Sequence, residues 1–193
     1  MKVKHLVGID MSISSPGIGI YNLETKKRMI YTFSSKTTKE MTIETEDIKL
    51  IVLRQPNWKK ENIDGFEKYC LIAENVHQFI KNTINDDHAL VYFEGYSFAS
   101  KGLTFNIGEI TGLMKYLVRN SNWSFDIIPP SDWKKIIIGK GNVNKEMIYE
   151  KMQNHHSFGK ILQKIEIPYK KGNFIEDICD AFCILEWIVL KSS

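Results

Sequence analysis

The sequence predicts an α/β protein built on a mixed five-stranded sheet, three antiparallel strands followed by parallel ones, flanked by helices. Three observations carry this. Apolar runs near 4–11, 17–23 and 28–33 are separated by turn formers, first Ser15-Pro16-Gly17 and then Glu24-Thr25-Lys26-Lys27, which reads as an antiparallel meander. From Ile63 the pattern changes: Phe66, Tyr69/Cys70, Ala73, Val76, Phe79/Ile80 and Ile84 recur at spacings of three and four, the period of an amphipathic helix. The run Ala89-Leu90-Val91-Tyr92-Phe93 that follows is apolar throughout, as a strand covered on both faces is.

The first strand, Leu6-Val7-Gly8-Ile9-Asp10, ends in a carboxylate where an aliphatic is expected. Either Asp10 caps the turn after the strand, or it is a buried acid that needs a partner or a cation. Residues 34–62 are polar and weakly patterned and read as a surface excursion; within them Ile48 to Leu53 fits a short strand or a helical turn. Asn85-Asp86-Asp87 ends the first helix. The fourth strand, like the first, ends in an acid, Glu94, and a small-residue loop with aromatics follows, Tyr96 to Gly102. Thr104 can cap a helix with apolar face Ile107, Ile110, Leu113/Met114 and Leu117. Phe125 to Ile128 is a fifth strand stopped by Pro129-Pro130, and Ser131 can cap a short helix over 132–137. A glycine loop (Gly139 to Asn142), a helix from Lys145 to Met152, a basic loop or broken helix over 154–173, and a strong helix from Ile175 to Leu190 complete the chain. With 193 residues and no internal repeat, one domain spanning 1–193 is expected.

Lys and Arg number 26 against 23 Asp and Glu, a net +3 that permits nucleic acid without demanding it. Cys70, Cys179 and Cys183 form no disulfide framework; Cys179 and Cys183, one helical turn apart among apolar residues, read as core thiols in a reducing, cytoplasmic setting. No apolar run reaches the ~18 residues of a membrane span, and Met1-Lys2-Val3-Lys4 runs straight into the first strand, leaving no room for a signal peptide.

Asp177 and Asp180 are three apart, so they share one face of the last helix. Acids are common in first turns, where the helix dipole favours them by ~0.3–1 kcal/mol. Asp10, Glu94 and this pair nevertheless form a set, each at the end of an apolar element. Clustered carboxylates need cations, and hard divalent ions with oxygen ligands suit them best. Two such ions are the usual apparatus for attack of water on a phosphodiester. The histidines show no nucleophile partner by spacing, and His155-His156 reads as surface or DNA-contacting. Between Lys134 and Lys171 stand nine lysines against three acids; this is a solvated face, or a track for a polyanion. The Gly139-Lys140-Gly141 loop lacks the spacing of a phosphate P-loop.

Taken in order, GIDxS…GxG around Asp10, VYFEGYSFAS around Glu94, Gly108-Glu109-Ile110-Thr111-Gly112, the PSDWKK…GKGNxxKE block and DxxDA from Asp177 to Ala181 resemble the RuvC-type Holliday junction resolvases, especially their phage or viral members. The resemblance implies a ribonuclease H-like fold, a homodimer, two Mg²⁺ ions (with Mn²⁺ able to substitute), and paired nicks across a four-way DNA junction. By the same resemblance Asp10, Glu94, Asp177 and Asp180 are metal-binding and catalytic carboxylates. Lys145 assists catalysis, Lys134, Lys135 and Lys140 meet DNA, and Tyr96 or Phe98 wedges the junction, with Phe98 favoured. Glu176 offers an alternative ligand register, since it too shares a face with Asp180.

Three other readings compete. One is a nuclease of the same fold acting on flaps, other branched DNA or RNA–DNA hybrids. The second is a fragment of a sugar-kinase or actin-like ATPase, which the GID…GIG hairpin would suit but the length would not; no nucleotide cofactor is expected. The third is a catalytically dead DNA-binding scaffold, against which four retained acids argue.

Overall fold

The computed structural model describes residues 2–35, 39–56, 61, 63–85, 87–95 and 104–192. In chain order its elements are β1 (His5–Asp10), β2 (Gly17–Asn22), β3 (Arg28–Ser34), β4 (Met41–Glu44), β5 (Ile48–Arg54), α1 (Gly65–Ile84), β6 (Ala89–Glu94), α2 (Thr104–Asn120), β7 (Ser124–Ile128), α3 (Pro130–Trp133), α4 (Lys145–Gln153), α5 (Phe158–Lys164) and α6 (Phe174–Lys191). A π-helical turn, Lys134–Ile138, continues α3.

Among the described residues the strands form one sheet in the order β4-β5-β3-β2-β1-β6-β7. The β1–β2–β3 meander is antiparallel, and β6 and β7 add in parallel beside β1, as expected. The sheet has seven strands rather than five. The two extra ones come from the segment read as a surface excursion: β5 pairs in parallel with β3, and β4 returns antiparallel on the outer edge. The signal is there in period two. Ile48, Leu50 and Val52 are buried under the sheet's α6-side core, with Lys49, Ile51 and Leu53 between them on the other face. The polar residues around this short run masked it.

A second correction concerns α3. Ser131 does not cap it; the helix begins two residues earlier, with Pro129 at the N-cap position and Pro130 at the first helical position. Proline is pre-set for that position, where its missing N–H costs nothing.

Each face of the sheet has its own core. Val7, Ile9, Val91 and Phe93 meet α1 and α2 through Val76, Ile80, Ile110 and Met114. Leu6, Ile30, Leu50 and Val52 belong to the core under α6, with α4 packed on α6 and α5 beside it against β4 and β5. α6 lies almost wholly buried, and its start is fixed by Asn173, whose Oδ1 accepts the Ile175 N–H at 3.1 Å. It also lies very close to the β1–β2 hairpin. A methyl group at Gly17 would stand 2.8 Å from the Asp177 carbonyl oxygen, and one at Gly19 would stand 2.8 Å from Leu185 Cβ. The glycines of the GxG pattern thus seat a helix backbone against the sheet.

Candidate active site

β1 and β6 run parallel and side by side, so their last residues, Asp10 and Glu94, emerge at the same edge. The first turns of α6 cross this edge. Asp10 pairs with Gly17 in the ladder, and Gly17 is the residue against which the Asp177 backbone rests. Asp180 follows one turn later on α6 and is only 3% exposed.

Two pairs result. Glu94 sits against Asp10, and its carboxyl is pushed up to about 8. Burial is the largest cause, and repulsion from Asp10 and a hydrogen bond with it add. The Trp133 hydrogen bond and the charge of Lys134 act in the opposite sense. Two carboxylates this close do not ionise together without a counter-charge. The second pair is Asp180 and Lys145: Lys145 Nζ donates to Asp180 Oδ2, while Asp180 Oδ1 is buried with no hydrogen bond among the described residues. Asp10 and Glu94 are thus brought together and the first turns of α6 reach the same edge, but the four expected carboxylates do not close into a single cluster: no three His, Cys, Asp or Glu among the described residues are arranged to hold a metal ion.

The chemistry of the donor set nevertheless fits hard cations. A carboxyl that keeps its proton near neutrality for want of positive charge, and a buried carboxylate oxygen without a donor, are both what a divalent ion relieves.

Trp133 is the residue that sequence reading missed. It is fully buried, its Nε1 donates to Glu94 Oε1 at 2.7 Å, and its ring carries Lys134 Nζ at 5.2 Å from the centroid. One side chain therefore sets both the Glu94 carboxylate and the first lysine of the basic block. The clue was a large aromatic in an otherwise polar stretch directly after a strand. Lys135 and Lys140 stand exposed further along. Glu176, the alternative ligand, is turned elsewhere: Tyr169 Oη donates to its Oε1 at 3.0 Å. Tyr96 and Phe98 lie outside the described residues. Cys179 and Cys183 are buried free thiols, and burial raises both well above the ordinary thiol range, as core cysteines require.

Neither a family model nor a curated protein matches the chain by sequence. Solved structures do match. RuvC of Thermus thermophilus aligns with a TM-score of 0.57 at 15% identity, covering 97% of this chain and 96% of that one. The same protein in complex with a Holliday junction substrate aligns with a TM-score of 0.57 at 14% identity over 98% and 96%. The yeast mitochondrial Holliday junction resolvase Ydc2 aligns with a TM-score of 0.51 at 14% identity, over 94% of this chain and 75% of its own. The chain therefore shares the fold of these solved structures along nearly its whole length.

Proposed function

We propose that this protein is a divalent-metal-dependent endonuclease that resolves four-way DNA junctions by paired, symmetric nicks. The observation that carries the reading is the meeting of Asp10 and Glu94 on neighbouring parallel strands, beside the Lys145–Asp180 pair, on a fold shared along its length with junction resolvases.

Asp10, Glu94, Asp177 and Asp180 would hold the ions, Mg²⁺ or in its place Mn²⁺. When bound, such ions supply the Lewis acidity that phosphodiester hydrolysis needs. The protein's own groups do the rest. Trp133 holds Glu94 Oε1 in place. Lys145, already drawn to Asp180, brings a positive charge to the edge where a phosphate would lie, and such a fixed charge stabilises the anionic transition state. Lys134, Lys135 and Lys140 track the DNA backbone.

The junction's two-fold character calls for two copies of the chain. α2 and the edge strand β7 pack together and expose Phe105, Tyr116, Phe125 and Ile127, apolar area suited to burial against a second copy. The whole chain would act as one nuclease domain. Its free cysteines suit a reducing compartment such as the cytoplasm, and among the described residues no helix is long and apolar enough to cross a membrane.

The test is a labelled four-way junction incubated with the protein with and without Mg²⁺. Symmetric nicks on opposing strands that need the metal are expected. Cleavage of flaps or RNA–DNA hybrids in preference to junctions would overturn the substrate, and no cleavage of any substrate would overturn the activity. Asp10→Asn is expected to abolish cutting while leaving junction binding in a gel-shift assay intact.

A further inference from the structure

Beyond the carboxylate edge lies a cleft of about 470 Å³, at the N-terminal ends of α4 and α6. Lys134, Lys145, Lys170 and Lys171 line it, against the carboxylates of Glu146 and Glu176. We propose that this cleft seats a second phosphodiester of the substrate strand, one that flanks the scissile phosphate, with Lys170 and Lys171 as its outer wall. The proposal rests on the nuclease reading for the identity of the strand, but the anion seat itself does not.

Three features favour an anion there. Lys145 is engaged by Asp180, yet three more ammonium groups remain at the cleft, and neither Lys170 nor Lys171 has an ion-pair partner among the described residues. One of the two opposing acids is held by a neutral donor: Tyr169 Oη hydrogen-bonds Glu176 Oε1, and the Tyr169 ring is itself stacked on Tyr149 at 4.1 Å between centroids. The carboxylate is therefore satisfied without a lysine. Finally, both helices direct the positive ends of their dipoles to this region, which favours a phosphate. Lys145 belongs to the cleft and to the Asp180 pair at once, so a strand lying in the cleft continues directly to the acidic edge.

The test compares wild type with Lys170→Gln/Lys171→Gln and with a charge-matched control, Lys68→Gln/Lys81→Gln, on α1 across the sheet. Four-way junction affinity is measured in EDTA over a range of salt concentrations. Losing two phosphate contacts lowers the slope of log affinity against log salt by about 2; that fall is expected for the cleft variant and not for the control. A second arm titrates pyrophosphate into the metal-free protein by calorimetry, with binding expected for wild type and control and lost in the cleft variant. An unchanged slope with pyrophosphate binding retained in the cleft variant overturns the cleft and leaves the nuclease reading standing. Pyrophosphate binding that depends on Lys170 and Lys171 in a protein that ignores junctions keeps the cleft and overturns the substrate.

Discussion

Trp133 shows how much a single side chain can settle. Its indole N–H is the donor to a carboxylate with little access to water, and its ring steers a lysine. Trp133→Phe keeps the bulk and removes the donor. Leaving a buried carboxyl without that bond costs roughly 1–3 kcal/mol, so chemical denaturation should report a loss in that range, and Mn²⁺ titration should show weaker binding. Intact Mn²⁺ affinity would separate Trp133 from the metal-holding role proposed for Glu94. A different residue contributes to the response to acid. Asn22 Oδ1 is occupied by the Glu24 and Thr25 N–H groups, so its amide nitrogen faces His5 Nε2 as a donor at 3.0 Å. That nitrogen of His5 must stay unprotonated. Burial accordingly holds the His5 pKa below its usual value, and the same cause lowers His155. A depressed histidine pKa means that the unfolded chain takes up protons first as pH falls below about 6.5, and stability falls with it. Glu94, raised to about 8, acts the other way over the same window but is common to both proteins, so the His5 part is read by comparison: from pH 7.5 to 5.5 the thermal midpoint of His5→Gln should fall less, or rise more, than that of the wild type.

Among the elements, α6 and the hairpin beneath it carry the site. Gly17 lets the Asp177 turn approach to within contact of β2. Gly17→Ala introduces a methyl group where a backbone oxygen stands, so the first turn of α6 must shift. Overpacking of this kind costs about 1–3 kcal/mol; denaturation should show it, and cleavage should decline in step because Asp177 and Asp180 move with the turn. This explains the glycine pattern that also suggested a phosphate-binding hairpin: packing against α6 accounts for Gly17 and Gly19 without a nucleotide. The meander and β6 were legible as unbroken apolar runs, α1 by its spacing of three and four, and α6 as a long apolar segment. Asp10 and Glu94 were legible because an acid ending an apolar strand breaks that run. The partners were not. Nothing in spacing says that Lys145 reaches across to α6, that Trp133 turns back to β6, or that Tyr169 removes Glu176 from the ligand register, since these contacts join residues 35, 39 and 7 positions apart through the fold.

For the molecule as a whole, the widened sheet is the main departure from what the sequence led one to expect. β5 is part of the core: Leu50 is fully buried. Leu50→Ala should therefore cost about 2–5 kcal/mol, the range for truncating a packed leucine, in urea unfolding followed by circular dichroism. A loss near zero would return this segment to the surface. The strand pair lengthens the sheet on the side away from β6 and Glu94, so the expected chemistry and the added edge occupy opposite flanks of one rigid layer.

The π-helical turn at Lys134–Ile138 has a further consequence. It holds one more residue per turn than ordinary winding would. That extra residue is taken up within the turn, so excising one isoleucine from Ile136-Ile137-Ile138 lets the stretch rewind as regular helix with the chain beyond it pointing almost as before. One residue more has no such outlet: at roughly 100° per residue of ordinary helix, it turns the start of the Gly139 loop, and so the path to Lys145, about the axis. The π turn thus leaves this stretch tolerant of one residue fewer and intolerant of one more.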